Sequence, residues 1–190
     1  NPNTLETKQL FKGKLNPTDE KVSLVDVILE DKQGNLWLGV SRKLIKYNLT
    51  TDEQTVYLSL ESDLDFFRDL LLKDNVLYIA TSKGLYQLNT LTNRVQLIEH
   101  RIDGDNSIDS NNTKLLKFDE QLGLLVGTVE GLYQLSINEF GVNSIIKPKK
   151  IIPLLNIWDM SENEKGYFVA TEQGLFQFNS INISMKPLLK

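Results

Sequence analysis

The sequence predicts an all-β chain assembled from four copies of one structural unit. Three observations carry that expectation: four segments align without gaps, their starts recur at a sheet-sized interval, and no stretch shows a convincing helical apolar period. The segments are Trp37-Leu-Gly-Val-Ser-Arg-Lys-Leu-Ile-Lys-Tyr47, Tyr78-Ile-Ala-Thr-Ser-Lys-Gly-Leu-Tyr-Gln-Leu88, Leu125-Val-Gly-Thr-Val-Glu-Gly-Leu-Tyr-Gln-Leu135 and Phe168-Val-Ala-Thr-Glu-Gln-Gly-Leu-Phe-Gln-Phe178. They begin 41, 47 and 43 residues apart. A unit of about 40–50 residues is the length of one four-stranded β-propeller blade.

Each segment opens on a large residue and soon places a small one, Gly39, Ala80, Gly127 or Ala170. That alternation suits a strand wedged into the taper near a propeller axis. Three segments then carry Gly84, Gly131 or Gly174 ahead of an apolar-aromatic strand, where φ > 0 closes a tight hairpin without steric cost. The first has Lys43 there, and Val40 where the others have Thr81, Thr128 and Thr171, so its turn must take another geometry. Ahead of each core lies an inner strand and a polar turn, at 25–35, 69–73, 114–119 and 157–161. After it an Asn/Thr-rich turn leads to an outer strand, as at 48–52 into 54–58 and 89–93 into 94–98. Each blade thus supplies strands a, b, c and d from the axis outward. The predicted blades span 22–59, 65–100, 112–147 and 154–190. Residues 1–12 parallel the turn and outer strand at 48–58, so an orphan outer strand precedes the four blades. A surplus strand points to an arc cut from a larger ring rather than to a closed four-bladed one. Such an arc leaves blade edges uncovered, which predicts self-association.

Composition narrows the function classes. Of 190 residues 41% are hydrophobic and 24% charged, with a net charge of −4 and both signs interleaved. No basic stripe marks a nucleic-acid surface, and the basic run 147–150 reads as a solvated loop. No apolar run approaches the ~20 residues of a membrane span, and the chain shows no signal or transit peptide. The absence of cysteine excludes disulfides, a thiol nucleophile and thiolate metal sites; a single histidine, His100, excludes a multi-histidine cluster. No cofactor is expected.

The candidate ligand contacts are Trp158 and Asp159 on the innermost strand of the fourth blade, and Arg101, Asp103 and Asp105 on the longest connector, 100–112. Trp158 is placed to stack on a sugar or another planar ligand near the central channel, with packing between blades as the competing role. Asp103, Asp105, Asn106 and Asp109 offer oxygens, but their spacing is not that of an EF-hand and such runs commonly form turns. A glycosidase needs two converging carboxylates. The pairs Glu30-Asp31 and Asp119-Glu120 fall instead at repeated a–b turns.

The stretch Ile28-Leu-Glu-Asp-Lys-Gln-Gly-Asn-Leu-Trp-Leu-Gly39 resembles the two-component regulator propeller repeat, which runs Asp-x-x-Gly-Asn-Leu-Trp-Ile-Gly-Thr and continues with Gly-Leu and a Tyr-Asp pair. The connector Asp105-Asn-Ser-Ile-Asp-Ser-Asn111 is similar to the Asn-Ser-Leu-x-x-Asn segment that precedes each innermost strand in that family. The resemblance implies a piece of a propeller of about seven blades. It implies the extracytoplasmic, periplasmic sensor region of a bacterial hybrid two-component kinase or a related membrane diguanylate cyclase. It transfers a sensing role and no reactive residue. The expected function is non-catalytic ligand recognition, of a small molecule or saccharide. The alternatives are a protein-interaction scaffold and, third, a propeller hydrolase or lyase.

Overall fold

A computed structural model describes residues 24–98, 111–137, 145–153 and 155–189. Four antiparallel sheets of four strands follow one another along the chain, each ordered as in the sequence. The first holds β1 (Val25–Glu30), β2 (Asn35–Val40), β3 (Lys43–Asn48) and β4 (Gln54–Ser59). The second holds β5 (Phe67–Lys73), β6 (Val76–Thr81), β7 (Gly84–Asn89) and β8 (Val95–Ile98). The third holds β9 (Thr113–Asp119), β10 (Gly123–Thr128), β11 (Gly131–Ile137) and β12 (Ile145–Pro153). The fourth holds β13 (Ile157–Asn163), β14 (Gly166–Thr171), β15 (Gly174–Asn179) and β16 (Ser184–Leu189). The described residues include no helix, so none long and apolar enough to cross a membrane. The all-β, four-bladed propeller architecture expected from the repeats is the one found. One boundary moves: β12 continues to Pro153, beyond position 147, because Lys149, Lys150, Ile152 and Pro153 still pair with β11. The proposed orphan strand at 1–12 lies outside the described residues.

Three of the four core clusters sit between blades, while the fourth, Leu38, Val40, Ile45 and Tyr47, lies on one face of blade 1. Trp37 and Leu44 of blade 1 pack with Leu70, Leu77 and Ile79 of blade 2. Tyr78, Ala80 and Leu85 then pack with Leu116, Leu124 and Val126 of blade 3. Leu115, Leu125 and Leu132 close on Met160, Tyr167 and Val169 of blade 4. This layering explains the small residue of each repeat. A Cβ on Gly39 would lie 2.7 Å from Phe67 of the next inner strand, and one on Gly127 would lie 3.1 Å from Ile157. The wedge is therefore filled by the neighbouring blade.

Two turns repeat for local reasons. In blades 2, 3 and 4 the threonine before the b–c turn bonds to it twice. The Oγ1 of Thr81, Thr128 and Thr171 accepts the N–H two residues on, at 3.1, 3.0 and 3.1 Å. It also donates to the carbonyl of the following glycine at 2.7, 3.1 and 3.0 Å. Those glycines have φ of 146°, 140° and 116°. Blade 1 lacks both residues, and its left-handed backbone moves to Ser41 (φ 45°) and Arg42 (φ 69°), the pattern of a two-residue hairpin turn. In the c–d turns, Asn48, Asn89 and Asn179 each accept two main-chain N–H groups through Oδ1.

Among the described residues the blades form a succession that does not close on itself. Inner strand β1 packs on β5, β5 on β9 and β9 on β13, whereas β13 does not pack along β1 in the same way.

Candidate functional site

Every inner strand carries a β-bulge at the same place. The registers shift between Val25 and Val27 on β1, Phe67 and Asp69 on β5, Thr113 and Leu115 on β9, and Ile157 and Asp159 on β13. The extra residue in each bulge is Asp26, Arg68, Lys114 or Trp158. A bulged residue leaves the alternation of the pleat, and such irregularities re-aim side chains. Four equivalent positions therefore present one acid, two bases and one indole, in that order, at the same end of adjacent inner strands.

The two bases sit together. Arg68 donates through Nη2 to Asn112 Oδ1 at 3.4 Å and lies 4.2 Å over the Phe66 ring. Its Nε is buried without a hydrogen-bond partner. Lys114 Nζ donates to Asn156 Oδ1 at 2.7 Å. Burial and then the Arg68 charge push the Lys114 ammonium below its ordinary range, against a smaller opposing pull from Glu172. Burial likewise lowers Arg68. Both cations are held by neutral amide oxygens, and among the described residues neither forms an ion pair. Each amide comes from the next blade, just before its inner strand, so the contacts also join blades. Asp26 receives the N–H of Phe67, and burial raises its carboxyl despite that bond.

Trp158 follows Lys114 in this series and is 57% exposed. Asp159 is exposed as well and accepts Met160 N–H at 2.8 Å. Its repeat-mate Asp69 shows what the position does between blades. Asp69 accepts Leu70 N–H at 2.9 Å and, across the joint, Leu116 N–H at 2.7 Å. Burial raises the Asp69 carboxyl against these bonds and the Lys117 charge, with a further upward push from Asp159. The two aspartates thus lie within reach of each other's field.

Of the sequence candidates, Trp158 and Asp159 lie on this end of the inner strands, whereas Arg101, Asp103 and Asp105 lie outside the described residues, as does His100. Sequence reasoning missed Arg68, Lys114, Asn112 and Asn156. Distance to the small residue of strand b does not align them, since Arg68 and Trp158 lie 12 residues before it and Lys114 lies 13, and nothing in that pattern announces a bulge.

A concavity of about 410 Å³ opens elsewhere, between blades 1 and 2, around Asp31, Lys46, Lys73 and Asp74. Its central carboxylate is occupied by local structure. Asp31 Oδ1 accepts Asn35 N–H at 2.9 Å and Gln33 N–H at 3.0 Å, and Oδ2 accepts Trp37 Nε1–H at 3.3 Å. Lys46 lies 3.5 Å from the same carboxylate. Burial alone would raise Asp31, but these hydrogen bonds and Lys46 leave it below its usual value. Trp37 itself packs between blades.

No protein-family model and no curated protein matches the chain. Solved structures do match it. The extracellular domain of BT4673 from B. thetaiotaomicron, described as a hybrid two-component system, gives a TM-score of 0.72 at 18% identity, over 95% of this chain and 23% of that one. The extracellular domain of BT3049 from the same organism, described likewise, gives 0.64 at 20% identity, over 87% and 24%. PorZ, a surface component of the type-IX secretion system of Porphyromonas gingivalis, gives 0.65 at 16% identity, over 92% and 28%. The chain thus spans about a quarter of these structures. At such identities the likeness defines the class of fold, a β-propeller.

Proposed function

We propose that the chain is the ligand-recognition part of an extracytoplasmic bacterial sensor propeller, periplasmic in location and non-catalytic in itself. One observation carries this reading: four inner strands bulge in register and gather two bases, neither in an ion pair among the described residues, in series with an exposed indole. The two-component extracellular domains among the structural neighbours support the setting. In such a protein the chain is a section of a larger ring, and the output module is elsewhere. Calorimetry against a panel of oligosaccharides and metabolites tests it. The expected result is one binding class whose affinity falls at least tenfold in Trp158→Ala; a panel without binders, or binding indifferent to Trp158, counts against it.

The open face of blade 4 favours a second reading, a scaffold that assembles through blade faces. On blade 4, Phe168, Ala170, Leu175 and Gln177 occupy the positions that Tyr78, Ala80, Leu85 and Gln87 bury between blades 2 and 3. Continuity with that interface makes the occupant a further blade of the same repeat, here from a second copy. Head-to-tail association should grow with concentration in light scattering and weaken in Phe168→Asp. A monomer over a wide concentration range removes this reading and leaves the first intact.

A further inference from the structure

Resting on the sensor reading, we infer that the inner-strand site takes a carboxylate-bearing saccharide, a uronate, with the acid on Arg68 and Lys114 and the sugar ring on Trp158. The chemistry follows from what each bulge residue lacks. Two cations close enough to repel each other are costly to hold together unless an anion joins them. Among the described residues neither forms an ion pair, and each is instead held by an amide oxygen, Lys114 by Asn156 Oδ1 at 2.7 Å and Arg68 by Asn112 Oδ1 at 3.4 Å, with Glu172 acting on Lys114 only through its field. A neutral amide oxygen satisfies a donor without cancelling its charge. The guanidinium also keeps one buried N–H, at Nε, with no acceptor. A planar carboxylate suits this pair, because the guanidinium fork offers parallel donors and the ammonium a point charge.

The indole defines the rest of the ligand. Trp158 is the next member of the same bulge series and leaves 57% of its surface open. A broad aromatic face stacks on the apolar face of a pyranose while the ring hydroxyls stay in water. A bare dicarboxylate would leave that face unused, and a neutral sugar would leave the cations uncompensated. Glu172 and Asp159 border the site and disfavour a highly charged anion such as phosphate over a single carboxylate. Asp26 stands at the far end of the series.

The test uses the full chain and trigalacturonate, its methyl ester and succinate as calorimetric probes. Trigalacturonate should bind, weaken with added salt, and lose about tenfold or more in affinity in Lys114→Met and in Arg68→Met, each checked for an unchanged circular dichroism spectrum. The ester and succinate should each bind at least tenfold more weakly than the acid. Equal binding of acid and ester, or tight binding of an unrelated neutral glycan that depends on Trp158, overturns the uronate inference but leaves the sensor reading standing. Binding of succinate as tight as that of the sugar acid overturns the role of the ring. Should Arg68→Met fail to fold, Lys114→Met and the salt titration decide alone.

Discussion

One repeat position in four blades meets two different environments. Trp37, Tyr78 and Leu125 are at most 3% exposed, while their counterpart Phe168 is 40% exposed. On the other side only the inner strand of blade 1 is open: Ile28 is 60% exposed where Leu70, Leu116 and Met160 are buried, but Leu38, Val40 and Ile45 on the same face are at most 4% exposed. The residue types barely differ along either series. At the Phe168 position what differs is whether another blade follows, so burial there belongs to the neighbour and not to the blade. Stability in such an array is a sum of unit and nearest-neighbour contributions, and among the described residues the far face of blade 4 lacks one of the latter. The polar joints obey the same rule. Asp69 reaches across to Leu116 and Lys114 to Asn156, while Asp159 on the last blade has its own Met160 N–H.

The contrast can be broken directly. Tyr78→Ala should cost about 3–5 kcal/mol in urea denaturation, as for other buried aromatic truncations, and Phe168→Ala only about 1 kcal/mol or less. Equal losses would mean that the blade 4 face is covered in solution, which repeating the measurement at several protein concentrations would reveal. A smaller effect is expected at the b–c turns. Thr128→Val removes two hydrogen bonds in a buried turn and should cost about 1–3 kcal/mol. Thr171→Val, on the end blade beside solvent, should cost less, since water can replace the lost partners.

Ile183 sharpens the comparison at the outer edge of blade 4. It holds a φ of 51°, where β-branched residues are strained, at a place filled by Asp52 and Asn93 in other blades. Ile183→Asn should stabilise by about 0.5–1 kcal/mol and raise hydrogen-exchange protection mainly in β15 and β16. The smallest effect expected is a pH dependence at the joint of blades 2 and 3. Because burial raises the Asp69 carboxyl, the folded state binds its proton more tightly than the unfolded one. Stability from this group is therefore present below the unfolded value and declines as pH rises through the folded one. Asp69→Asn should flatten that decline in urea midpoints measured just above the ordinary aspartate value of 3.8. An unchanged slope would assign the dependence to other carboxylates.

The repeat, the all-β class, the four-strand order and the exceptional first hairpin were all legible in the amino acids alone. Each is a matter of contacts within one blade, where Thr-x-x-Gly and Asn-rich turns act over three or four residues and strands alternate with period two. Trp158 and Asp159 were legible as inner-strand residues for the same reason. The cationic partners were not. Arg68 and Lys114 meet because their strands both bulge at one register and sit side by side, and their amide partners Asn112 and Asn156 come 44 and 42 residues later. Bulge register and blade-on-blade placement arise from packing between units, to which local spacing is blind. Local chemistry therefore determined what a blade is, while only the tertiary arrangement decided which side chains face one another and which faces remain open.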